Sequence, residues 1–151
     1  MPQLDNNAVE SALTDALMTM AFISPLPPED AAPPVAPLCL TCISFEGAAT
    51  GTVELVCPLA LGAALAANCL GAEPDSAESL EGSPDALKEL INVACGEMLR
   101  NSGVTAAGLV EMNVPTHEPF ELCNWDQFVD SGAIVLDAEG NKLAVRMTGC
   151  N

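Results

Sequence analysis

Asp85, Glu89, Asn92 and Gly96 lie in the segment SPDALKELINVACGEMLR, Ser83 to Arg100, and their types and spacing could do chemistry. A carboxylate offers a charge, and a carboxamide both donates and accepts hydrogen bonds. At about 100° per residue, a helix brings the four into one line. Leu87, Ile91, Ala94 and Met98 fall in a second line almost diametrically opposite, the usual mark of a core-facing side. Leu90, Val93, Cys95 and Leu99 fill the flanks, with Lys88 the main exception. The pattern predicts a mostly buried helix that surfaces along one polar line.

Asn92 and Gly96 are the costly members of that line. Mid-helix asparagine costs roughly half a kcal/mol against alanine, and glycine roughly 1 kcal/mol. Two poor helix formers on one face imply that something approaches it closely, although periodicity alone does not name the visitor. Ser83 is expected to cap the helix, with Pro84 in the first turn and Asp85 complementing the positive end of the dipole.

The elements that must position this helix can be read from pattern and punctuation. DNNAVESALTDALMTMAF, from Asp5, is amphipathic with Val9, Ala12, Leu13, Ala16, Leu17 and Met20 on one side. ISPLPPEDAAPPVAP breaks it with a connector too rich in proline for regular structure. LCLTCISFEG and TGTVELVCP read as two strands of a hairpin, and PLALGAALAANCLG as a short alanine-rich helix. AEPDSAESLEGS is expected to be an acidic loop. After the central helix, AAGLVEMNVP could be a strand, a loop surrounds Trp125, and FVDSGAIVLDAEGNKLAVRMTG reads as a second hairpin. The order is helix, two strands, two helices, then about three strands. That predicts an α+β fold in one domain, 1–151, with a largely antiparallel sheet and long helices packed on one face.

The chain has 21 acidic residues against four basic ones and a formal net charge of −17. Nucleic acid and anionic membrane are poor partners for such a surface, whereas a protein with an exposed lysine or a bound cation would be attracted. Half the residues are hydrophobic, so the chain can bury a real core. No apolar run of membrane length occurs, and the N-terminal segment lacks the pattern of a signal peptide. A cytoplasmic protein is expected.

Seven cysteines raise the question of metal or disulfides. Cys39 and Cys42 form a CxxC, but on a strand residues three apart point to opposite faces. Cys57, Cys69, Cys95, Cys123 and Cys150 lack ligand spacing, so reduced cysteines acting as small core residues are expected. The single histidine, His117, falls in the Pro-flanked stretch VPTHEPF, read as a loop, and no motif marks it as a catalytic base.

DALKELINVACGEML resembles the signature helix of the CheX/CheC family of chemotaxis phosphatases, which carries D/S-x-x-x-E-x-x-N and then a glycine. Here these are Asp85, Glu89, Asn92 and Gly96. The order of elements agrees with that family over most of the chain, although only the central helix is specific. The resemblance implies a CheC-like fold and hydrolysis of the phosphoaspartate of a CheY-like response regulator. Glu89 would pair with the regulator's active-site lysine, and Asn92 would orient the attacking water. Asp85 and Gly96 would contact the partner, Gly96 by permitting close approach. Mg²⁺ would belong to the regulator, and no cofactor or metal of the chain's own is expected. CheC-type members carry two such helices. Here Glu10 is followed three residues on by Leu13, so one active site, as in CheX, fits better.

The resemblance also suggests a homodimer formed through the sheet, whose exposed edge would offer unpaired backbone groups. The main alternative is a non-catalytic adaptor or flagellar switch-type module of the same fold. Retention of both Glu89 and Asn92 favours catalysis, since an adaptor has no need of the pair. A small redox or metal protein built on the cysteines is the third reading.

Overall fold

The computed structural model describes residues 4–149. Helix α1 runs from Asn6 to Ala21, with the Asp5 carboxylate accepting from the Ala8 N–H at 2.9 Å as its cap. The proline-rich connector leads to strands β1 (Leu38–Gly47) and β2 (Gly51–Pro58), then helices α2 (Leu59–Leu70) and α3 (Ala77–Asn101). A short helix α4 (Val104–Ala107) precedes strands β3 (Val110–Met112) and β4 (Thr116–Phe120). A 3₁₀ turn at Leu122–Asn124 and helix α5 (Trp125–Asp130) follow, then the hairpin of β5 (Ile134–Ala138) and β6 (Asn141–Thr148).

The sheet order is β3–β1–β2–β6–β5, and β4 pairs with β1 on the same edge as β3, along Leu38 to Cys42. All of its strand pairs are antiparallel. Alternation along β1 sends Cys39, Ile43 and Phe45 into the main core, where α1, α2 and α3 cover one face of the sheet. This is the expected α+β arrangement. The opposite face is not bare: Trp125 and Phe128 of α5 pack on Leu38, Val56 and Ala144 in a second, smaller core. The connector crosses the far edge of the sheet, where Leu26 and Asp137 exchange backbone hydrogen bonds of 2.9 and 2.8 Å. Lys142 holds it there by pairing with Asp30 at 2.7 Å.

Four expectations need correction. Helix α3 starts seven residues early: Ser76 is its cap, accepting from the Ser79 N–H at 3.2 Å, and Pro84 lies inside it. The stretch read as an acidic loop therefore supplies the first two turns, and Asp85 is no first-turn residue. Ser83 is drawn into the helix because its buried hydroxyl donates to the Leu59 carbonyl of α2 at 2.7 Å. VPTHEPF contributes β4 rather than a loop, so four strands follow α3. The loop around Trp125 contains α5.

Candidate functional site

Apolar packing on three sides sets the rotation of α3. Leu87, Leu90, Ile91, Ala94, Cys95, Met98 and Leu99 are all buried. Against α2, the approach is closest at Gly62, where a Cβ would overlap the Ser83 hydroxyl and stand 2.7 Å from the Ser83 carbonyl oxygen. With that side locked, the polar line faces outward as its spacing predicts. Asp85 and Glu89 are exposed, while Asn92 and Gly96 are half-buried.

Among the described residues, neither Glu89 nor Asn92 makes a side-chain hydrogen bond or ion pair within the fold. Asp85 meets only Lys88, at 4.0 Å and largely in solvent, a contact worth little. Glu89 and Asn92 stand about 4.5 Å apart along the axis, given the helical rise. They are held on a rigid scaffold with their bonding capacity unspent. A protein surface carrying a cation and a water molecule could use both.

Gly96 is not required by the packing of this chain. A Cβ there would stand 3.6 Å from Arg100 Nη1 and 3.8 Å from Met112 Cε, ordinary contact distances. The helix thus carries the cost of a glycine for no internal gain. This strengthens the reading of a surface kept low.

Three residues beside the line were not identified from sequence. Arg100 continues it one turn beyond Gly96 and is exposed, a position the i, i+4 rule could have found. Met112 and His117 come from the sheet edge, on the helix-covered side, because they pair with Phe45 and Thr41 of β1. No local pattern announces them. His117 Nδ1 lies 3.1 Å from the buried Thr41 hydroxyl in a hydrogen bond. Burial and the Lys88 ammonium hold its imidazole below the usual histidine range, with Asp85 opposing.

The cysteines divide. Cys39 lies in the main core, and Cys42 is half-buried on the other face of β1 opposite Glu54, as strand alternation requires. Burial pushes the Cys95 thiol up to about 12. Burial, with Glu54 and Glu118 nearby, pushes Cys42 up to about 11. Cys57 is also buried and raised. Cys69 and Cys123 are exposed rather than core residues, and Cys150 lies outside the described residues. Among the described residues, no group of three or more His, Cys, Asp or Glu side chains is placed to hold a metal ion. Among the described residues, no helix is long and apolar enough to cross a membrane.

Comparison with known proteins bears on the fold and the family. Residues 39–117 match the family model described as chemotaxis phosphatase CheX, a span that includes the whole polar line. No curated protein sequence matches. Among solved structures, the chain is similar to the chemotaxis protein CheX of Desulfovibrio desulfuricans, at 16% identity and a TM-score of 0.65, covering 93% of this chain and 95% of that one. It is similar to the chemotaxis protein CheX of Vibrio vulnificus at 17% identity and 0.65, covering 93% of each. It is also similar to a chain of the CheX–CheY–BeF3–Mg²⁺ complex of Borrelia burgdorferi at 13% identity and 0.66, covering 93% and 94%. At these identities the structural likeness speaks for the fold, which is CheC-like.

Proposed function

The chain belongs to the CheX family of chemotaxis phosphatases, and we propose that it hydrolyses the phosphoaspartate of a CheY-like response regulator. The observation that carries this reading is the pair Glu89 and Asn92, unengaged within the fold and displayed on one outward face of a fixed helix. The CheX structure solved with CheY supports the choice of partner.

In the proposed step, Glu89 pairs with the lysine of the regulator's phosphorylation site. Asn92 enters that site, and its carboxamide holds a water molecule in line with the phosphorus–oxygen bond to the aspartate. The water oxygen forms the new bond to phosphorus, the aspartate leaves as carboxylate, and the water's proton passes to the released phosphate or to solvent. Neither residue has to change protonation state. Catalysis comes from position and charge, as expected for phosphoryl transfer. Mg²⁺ is held by the regulator's own carboxylates and neutralises charge on the phosphoryl oxygens. Asp85 and Gly96 belong to the contact surface. A homodimer formed through a sheet edge is part of the same reading, and light scattering at several concentrations checks it by mass.

The direct test mixes the protein with phosphorylated regulators from its own genome and follows phosphate loss. Accelerated loss from one of them is expected. Tight binding to a phosphorylated regulator with no acceleration would point to the adaptor instead.

A further inference from the structure

Beside the polar line runs a second strip of surface that the proposed reaction does not use. From Asp85 to Gly96 the helix climbs about 17 Å at about 1.5 Å per residue. From His117 back to Met112 the edge of the sheet spans the four steps of β1 from Thr41 to Phe45, about 13 Å at about 3.3 Å per residue. The two strips meet at both ends. His117 lies within electrostatic reach of Asp85 and Lys88, and Met112 Cε reaches 3.8 Å from where a Gly96 Cβ would stand. Helix and edge therefore lie side by side and run in opposite directions.

Between those ends, Val114 is 85% exposed and Met112 37%. Their position is fixed rather than loose, because the Asn113 N–H donates to the Ser44 carbonyl of β1 at 2.8 Å. Pro115 follows at once and has no N–H to extend the ladder. Met112 thus stands beside Gly96, and Val114 follows two residues on along the same firm edge. At the same end stands Arg100, one of only four basic residues in a chain of net charge −17.

We propose that the receiver domain of the phosphorylated regulator seats on both strips at once, with Met112 and Val114 as its apolar seat and Arg100 as its counter-charge. This rests on the phosphatase reading above. A phosphorylated receiver carries a phosphoryl group and Mg²⁺-binding carboxylates, so it presents negative charge where it meets this face. The surrounding acidic surface repels that charge, and Arg100 gives local relief at the end of the line. The unbranched, polarisable Met112 adapts to an apolar neighbour. Affinity and choice of regulator would then reside in the edge strip, and chemistry in the helix.

The test measures single-turnover dephosphorylation over a range of protein concentration, together with direct binding of the phosphorylated receiver. The variants are Val114→Asp, Met112→Ala and Arg100→Glu, with Leu26→Asp at the opposite sheet edge as the control. The expected result is affinity weaker by about tenfold in Val114→Asp and Arg100→Glu, an unchanged maximal rate, and wild-type behaviour for Leu26→Asp. Unchanged affinity in both charged variants would overturn the seat while leaving the phosphatase reading intact. A Val114→Asp protein that loses only its self-association, with receiver affinity kept, would show the strip to be a contact between copies and overturn it as well. A wild type that binds without turnover would refute the phosphatase reading, and the affinity arm would still decide the seat.

Discussion

Ser83 donates its hydroxyl proton to the Leu59 carbonyl, so the second turn of α3 is bonded to the first residue of α2. The contact lies where α2 and α3 approach too closely for any side chain at position 62. Ser83→Ala should cost about 1 kcal/mol, the net worth of one such bond. Gly62→Ala should cost about 1–3 kcal/mol by overpacking. Urea midpoints check both, and a neutral Gly62→Ala would mean that the helices can separate without penalty.

Asn92→Ala should slow single-turnover hydrolysis by about a hundredfold or more, some 2.7 kcal/mol of barrier. Binding of the phosphorylated regulator should change little. Stability should not fall, because alanine is the better helix former and Asn92 has no partner inside the fold. Full activity in a folded Asn92→Ala protein would remove Asn92 from the mechanism.

Glu89→Ala should weaken both rate and binding, since its pairing is made before and during the reaction. Its loss should also flatten the salt dependence of association. A variant with weaker binding but the wild-type response to salt would indicate lost contact area rather than a lost ion pair.

Gly96→Ala should separate stability from function. The fold has room for the methyl group, so the protein should gain up to about 1 kcal/mol. The partner, which needs the low surface, should bind less well. Thermal melting and regulator affinity on the same sample check the two signs. A variant that gains stability and keeps its affinity would make Gly96 incidental.

His117 gives a pH-dependent prediction. Its folded-state pKa is lowered by burial and by Lys88, so the unfolded chain takes up that proton first as pH falls. The contribution is present above the unfolded value of about 6.5 and is lost as pH drops below it toward the folded value. The melting difference between wild type and His117→Gln should therefore move against the wild type between pH 7 and 5. Parallel curves over that range would show that the imidazole is not held neutral.

Much of this was legible in the sequence wherever one element buries one face. The α3 stripe, β1, β2 and the β5–β6 hairpin all advertise their sides by period. The start of α3 misled because Ser83-Pro84-Asp85 carries every local mark of a helix beginning. The contact with Leu59 overrides those marks, and no local pattern contains it. Strand β4 was missed because it alternates poorly and includes Pro119. It is a strand by virtue of pairing with β1, and the missing N–H is tolerated at a sheet edge. Helix α5 has only Trp125 and Phe128 to show, too short a run for a period. The outward line was visible in advance; Met112 and His117 reach it only through register.

All four residues of the line lie on one uninterrupted stretch of α3, and this bears on how such a surface survives sequence drift. Their separations are set by the helix itself, by bonds four residues apart, and not by the meeting of distant segments. Substitutions in the sheet can shift the helix as a whole without altering the distance from Glu89 to Asn92. The line behaves as a ruler cut from one piece. Whatever residues surround it, a helix keeps the same rise between positions 89 and 92, and so the graduations on the ruler keep their spacing.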